Sequence, residues 1–313
     1  MGEVEPVSLF CAQHYDRFAG GVLSWIEMQL PLFQPPDERT AVADDPGDKA
    51  RRKAFMELGI ALSEARSVPS FAVMPALERI TASWVDAARG AHVLQSDDQS
   101  LSLFVYRASV LAVFRGLNVE VEIGEVRALQ RVLDLGYIDR IERTAWNQLD
   151  LRYYFGRAGL SHALPSAQNL IRASSIFHRP ALGRATDRDL YGITHIVFVA
   201  TDFGKAQTHD LLRPCAAGLD DYLASCLAIC LAEQNWDLAA EFIMCRIYRG
   251  TVAKLEEFAV ASLCGAQHSS GYLPASATTA PADDSDPAAV FTAVYHPTVV
   301  GLFLLAAAAR AGR

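Results

Sequence analysis

Lysine is scarce in this chain: only Lys49, Lys53, Lys205 and Lys254 stand among its 28 basic residues, against 36 acidic ones, for a formal charge of −8. Phosphate neutralisation needs clustered cations, and "KARRK" (49 to 53) is the one such run. It reads as the solvated first turns of a helix, so the composition argues against general nucleic-acid binding. A basic stretch leading into an apolar one is missing near the N-terminus, which predicts no secretory signal. The longest apolar run, "VVGLFLLAAAA" (299 to 309), is too short to span a bilayer. A soluble, cytoplasmic protein without a membrane partner is the expectation.

Sequence motifs are equally sparse. There is no CxxC pair, so Cys11, Cys215, Cys226, Cys230, Cys245 and Cys264 read as buried thiols rather than as a zinc ribbon or a disulfide framework. Cys226 and Cys230, four apart, share one helical face as core residues do. No Walker A sequence, GxGxxG, HExxH, EF-hand loop or GxSxG occurs. No cofactor is predicted. Zinc stays open as an alternative, because Asp, Cys and His ligands from separate helices can converge without a local signature.

What the chain has is apolar side chains, 51% of its residues, recurring at spacings of three and four. That period predicts an all-α fold. Helices are expected near 21 to 30, 49 to 66, 70 to 92, 99 to 115, 122 to 135, 141 to 156, 166 to 177, 188 to 202, 218 to 233, 236 to 249, 251 to 266 and 290 to 310. Capping residues mark several ends: "SDDQS" (96 to 100) before the fourth, Asn235 before the tenth and Thr251 before the eleventh. Irregular structure is expected at 32 to 48, with three prolines and five acidic residues, and at 268 to 289. With no composition shift near the middle, residues 1 to 313 read as a single helical domain of about twelve helices in antiparallel pairs, arranged either as a ring or as stacked bundles.

"HSSGYLP" (268 to 274) and, beyond a linker, "VYHPTVVGLFLLAAAAR" (294 to 310) resemble the closing part of α/α-toroid enzymes. That class holds terpene cyclases, protein prenyltransferase β-subunits and lanthionine cyclases. Tyr295, His296, Thr298 and Gly301 stand at the matching places, with Pro297 intruding, and the likeness covers roughly the last fifty residues. It implies an (α/α)6 toroid-like fold. It carries over no catalytic set, since the Asp-x-Cys pair, the Cys-His-Gly zinc motif and the DxDD acid of those families are all missing.

Chemistry is expected in "DLYGITHIVFVATDFGKAQTHD" (189 to 210), where titratable groups flank an apolar segment. On a helix, Tyr191, His195, Phe198 and Asp202 share a face. His195, titrating near neutrality, is the candidate general acid or base. Asp202 or Asp210 would orient an imidazole or hold a cation, and His209 and His296 are further catalytic candidates. Thr194, Phe198, Tyr295 and Arg152 are candidate substrate contacts. The plain structural reading is that such a histidine bonds a backbone carbonyl, and that Arg152 pairs with a surface acid. Three functions follow. One is an acid/base enzyme of bacterial specialised metabolism, performing cyclisation, elimination or hydrolysis on a small molecule or modified peptide. The others are a non-catalytic helical module that binds a peptide or protein, with 268 to 289 as its docking segment, and a zinc-dependent cyclase or transferase.

Overall fold

Proline and capping side chains set where most helices begin. A computed structural model describes residues 12–95, 101–136, 138–206, 209–279, 281–282 and 286–312. Its α-helices are α1 (Ala12–Met28), α2 (Pro46–Arg66), α3 (Pro69–Ala72), α4 (Pro75–Gly90), α5 (Leu101–Gly116), α6 (Ile123–Asp134), α7 (Ala145–Arg157), α8 (Ala167–Arg172), α9 (Asp187–Ala200), α10 (Leu219–Ala232), α11 (Trp236–Tyr248), α12 (Lys254–Ala266) and α13 (Pro287–Arg310). Each of the expected helices is present. The segment 70 to 92 is divided into α3 and α4, because Pro75 takes the first position of a new helix after extended Met74. Among the described residues there is no β-strand; one isolated antiparallel bridge joins Asn235 and Ser276. The fold is all-α.

The capping expectations meet different fates. Asn235 Oδ1 accepts from the Leu238 amide at 3.2 Å and caps α11 as expected. Thr251 does not cap α12: that helix starts at Lys254, where Glu256 reaches back to the Ala253 amide at 2.6 Å. The capping stretch 96 to 100 and Cys11 lie outside the described residues.

The sequence shows no boundary, yet the chain packs as two compact units, Glu27–Ser174 and a second made of Met1–Ile26 with Ser175–Arg313. The first is centred on α5, which packs against α2, α6 and α7. Phe104, Ala108, Val110 and Leu111 of α5 are buried. Phe55 stacks on Trp84 with ring centroids 4.6 Å apart, and the indole donates to the Phe55 carbonyl at 2.8 Å. The basic run at the start of α2 is not wholly solvated. Arg52 is 5% exposed and binds Glu38 at 2.9 and 3.0 Å, so the proline-rich segment is tied to the helix.

In the second unit the hub is α11, packed by α9, α10, α12 and α13 and buried at every residue. In each unit the other helices gather on one central helix. Cys226 and Cys230 are buried in α10, facing the core as their spacing predicts. At 24 residues, α13 is long and apolar enough to cross a membrane, although its longest unbroken apolar run is not. In this unit it packs along α11.

The segment after α12 is built into the same unit. Ala275 O accepts from the Trp236 and Asp237 amides at 2.8 and 3.2 Å, satisfying the first turn of α11. The Leu273 amide donates to Thr298 Oγ1 at 3.0 Å, which joins the two pieces of the C-terminal motif. Gly271 is required there: its φ is +101°, and a Cβ would lie 2.2 Å from the Gly21 carbonyl oxygen.

Candidate functional site

Three helices of the second unit bring polar side chains to one place. α9 forms despite its β-branched residues because Thr186 and Asp189 cap it reciprocally and its buried face packs on α11. It presents Tyr191, Thr194 and His195. α11 supplies Asp237 and Glu241, one turn apart and each 3% exposed. α13 supplies His296. Tyr191 Oη donates to Asp237 Oδ2, and Thr194 Oγ1 donates to Glu241 Oε2. His296 Nε2 lies 3.5 Å from Asp237 Oδ2. The other Asp237 oxygen, Oδ1, is buried and has no hydrogen-bond partner among the described residues.

The electrostatics follow from burial. Removal from water pushes the Glu241 carboxyl up to about 7; His195 opposes this and the neighbouring Asp237 adds to it. Two carboxylates one helical turn apart, about 6 Å, repel by roughly 3 kcal/mol at an effective dielectric near 20. Burial first, then the Asp237 charge, raises the Tyr191 phenol far above its ordinary value, so it stays a hydrogen-bond donor. His195 and His296 are half-buried, as is Tyr191, and they form the solvent side of the cluster. Its chemical capacity is therefore proton transfer: imidazoles at the surface, each backed by a buried acid.

Of the residues singled out in the sequence, the structure gathers Tyr191, Thr194, His195 and His296. Phe198 is buried beside them, its ring centroid 6.1 Å from His195 and 5.8 Å from Tyr248. Tyr295 is buried and stacks on Phe291 at 5.2 Å. Asp202 does not share the helical face. α9 stops at Ala200, and Asp202 takes φ +48° in the following turn, 3.8 Å from Lys205. Asp210 is exposed and pairs with Arg213. His209 joins a separate group, 3.4 Å from Arg249, which binds Asp220; burial and then Arg249 hold its pKa down. Arg152 belongs to the first unit, where it donates to the carbonyls of Leu164 and Pro165 at 3.3 and 3.4 Å.

Periodicity and motif did not single out Asp237 and Glu241. Their signal is "WDLAAEFIMCRIY", in which two acids four apart interrupt an otherwise apolar first half. Among the described residues no three His, Cys, Asp or Glu side chains are placed to hold a metal ion. A cavity of about 570 Å³ lies in the first unit, lined by Arg89, His92, Phe114, Glu120 and Glu125 among others.

A model of the family described as Domain of unknown function (DUF6895) matches residues 19–306. No curated protein matches the chain, and no solved structure does.

Proposed function

We propose that this chain, which belongs to the DUF6895 family, is an enzyme that moves protons on a small molecule with His195 and His296. The observation that carries the reading is the pair of buried acids, Asp237 and Glu241, behind those imidazoles. Burying a carboxylate costs several kcal/mol unless it is fully compensated, and strongly perturbed carboxyls concentrate at catalytic sites. Asp237 orients His296 and stabilises its protonated form; Glu241 does the same for His195. One imidazole takes a proton from the substrate while the other delivers one, the chemistry of an elimination or an acid-assisted cyclisation. The toroid resemblance of the C-terminal stretch adds support for a cyclase.

The test is substrate-blind. Purified protein is incubated with a bacterial metabolite extract, and consumed and formed masses are compared with those from His195→Ala and His296→Ala. Wild type is expected to convert at least one compound that both folded variants leave intact. No conversion by wild type, or the same conversion by either variant, overturns the proposal.

A second reading has one observation in its favour. The cavity beside Arg89 and His92 suits a non-catalytic module that binds a small molecule or peptide in the first unit. In that reading 268 to 289 is the docking segment, anchored through Ala275 to α11 and through Leu273 to α13.

A further inference from the structure

Five acidic side chains are buried among the described residues: Glu38, Glu64, Asp237, Glu241 and Glu256. Three are each matched by an arginine. Arg52 binds Glu38 at 2.9 Å, Arg157 binds Glu64 at 3.1 Å, and Arg246 binds Glu256 at 2.7 Å. Asp237 and Glu241 have no arginine or lysine within ion-pair distance among the described residues. Their neighbours are hydroxyls and half-buried imidazoles. The phenol of Tyr191 and the hydroxyl of Thr194 already donate to one oxygen of each acid, while Asp237 Oδ1 is an acceptor without a donor.

Among the described residues, each buried acid therefore has a fixed cation except the two that stand together in the candidate site. We infer that the missing cation belongs to the substrate: it carries a protonated amine that donates to Asp237 Oδ1 and offsets the negative charge of the Asp237–Glu241 pair. This rests on the acid/base reading of the same cluster. A neutral alcohol satisfies the acceptor but leaves the charge, and an anion worsens it. An ammonium supplies both donor and charge, and charge-assisted hydrogen bonds of this kind are the stronger ones. His296 lies 3.5 Å from the other oxygen, Asp237 Oδ2, and so leaves Oδ1 without a donor.

The groups facing the pair are Tyr191, Thr194 and His195 from α9 and His296 from α13. Cys245, on α11 itself, stays a neutral thiol, since burial and then Glu241 raise its pKa. A bound cation favours the charged form of Glu241, so binding near neutral pH releases a proton.

The experiment is calorimetric titration of the full chain at pH 7, in phosphate and in MOPS, with putrescine, cadaverine, agmatine and n-butylamine, and with butanol and butyrate as controls. At least one amine is expected to bind with proton release, seen as a buffer-dependent enthalpy. Asp237→Asn is expected to weaken it by about tenfold or more, the loss of one charged partner. Glu241→Gln should abolish the proton release. No amine binding beyond that of sodium chloride at equal ionic strength overturns the inference, as does equal binding by Asp237→Asn or tighter binding of butanol or butyrate. Failure here with His195-dependent conversion of a non-amine in the extract removes the substrate class alone. Amine binding without any conversion removes the acid/base reading and leaves the amine site.

Discussion

The two units handle buried charge differently. In the first, built round α5, each buried acid is locked to an arginine that also grips the backbone or an aromatic ring. Arg52 holds Glu38 and reaches the Val42 and Ala43 carbonyls, and Arg157 holds Glu64 and lies over Tyr153. These pairs fasten loops and helices to one another. Among the described residues the second unit has one such lock, at the C-terminal end of its hub, where Arg246 binds Glu256 and the carbonyls of Asp220 and Thr251. At the other end of the same helix, Asp237 and Glu241 have only hydroxyl and imidazole company. The contrast separates charge that holds the fold from charge that the fold has to tolerate.

The largest expected effects come from cutting a lock. Arg246→Met leaves Glu256, fully buried, as an uncompensated charge, and Arg52→Met does the same to Glu38. Each is expected to lower the stability of its unit by about 3–5 kcal/mol. Hydrogen exchange read by mass spectrometry reports the two units separately, which a single melting curve of a chain this long does not. Protection unchanged in Arg246→Met would erase the distinction between locked and tolerated acids.

Next in size is the pH dependence of the unlocked acid. Glu241 has its pKa raised from 4.5 to about 7 by burial. The unfolded chain therefore ionises it first, so its contribution to stability is whole below pH 4.5 and is lost as pH rises through about 7. A tenfold change in an ionisation constant is worth about 1.4 kcal/mol, giving a loss of up to about 3 kcal/mol. Glu241→Gln removes that dependence. The variant is expected to be more stable than wild type at pH 8 and to lose the advantage towards pH 4.5, measured by urea unfolding followed by exchange in the second unit. A stabilised but inactive variant is the signature of a functional group held at a cost to the fold. Equal or lower stability of Glu241→Gln at pH 8 would place Glu241 with the locked acids instead.

The fold was largely legible because helices announce themselves locally. Apolar spacing located the expected helices but not all their edges: the first begins at Ala12 rather than 21, α8 ends at Arg172 rather than 177, Pro75 divides one segment, and Asp202 falls past a terminus that "TDFG" marks with Gly204 at φ +77°. The site was half legible. Tyr191, Thr194 and His195 stand in one polar-rich segment, and His296 in a motif-like one. Asp237 and Glu241 were passed over because a hub helix buried on every side has no polar face against which an odd acid stands out. The division into two units left no trace in composition, since both have the same kind of apolar helix at their centre.

The smallest expected effect concerns two turns of one design. After α5 the Asn118 amide donates to Arg115 O at 3.1 Å and the Val119 amide to Phe114 O at 2.8 Å, with Asn118 at φ +57°. After α10 the Gln234 amide donates to Leu231 O at 3.1 Å and the Asn235 amide to Cys230 O at 2.8 Å, with Gln234 at φ +53°. Both close their helices with a left-handed residue, as Schellman turns do. Asparagine tolerates that region and glutamine does so less well. Gln234→Gly should therefore stabilise the second unit by about 0.5–1 kcal/mol, and Asn118→Gly should change the first by less. Gln234 is exposed, so nothing packed is lost with its side chain. Its backbone carbonyl, which accepts from the Ala277 amide at 3.2 Å, survives the substitution. A fall in the urea midpoint of Gln234→Gly would mean that the turn into α11, and with it the placing of Asp237, depends on the glutamine side chain.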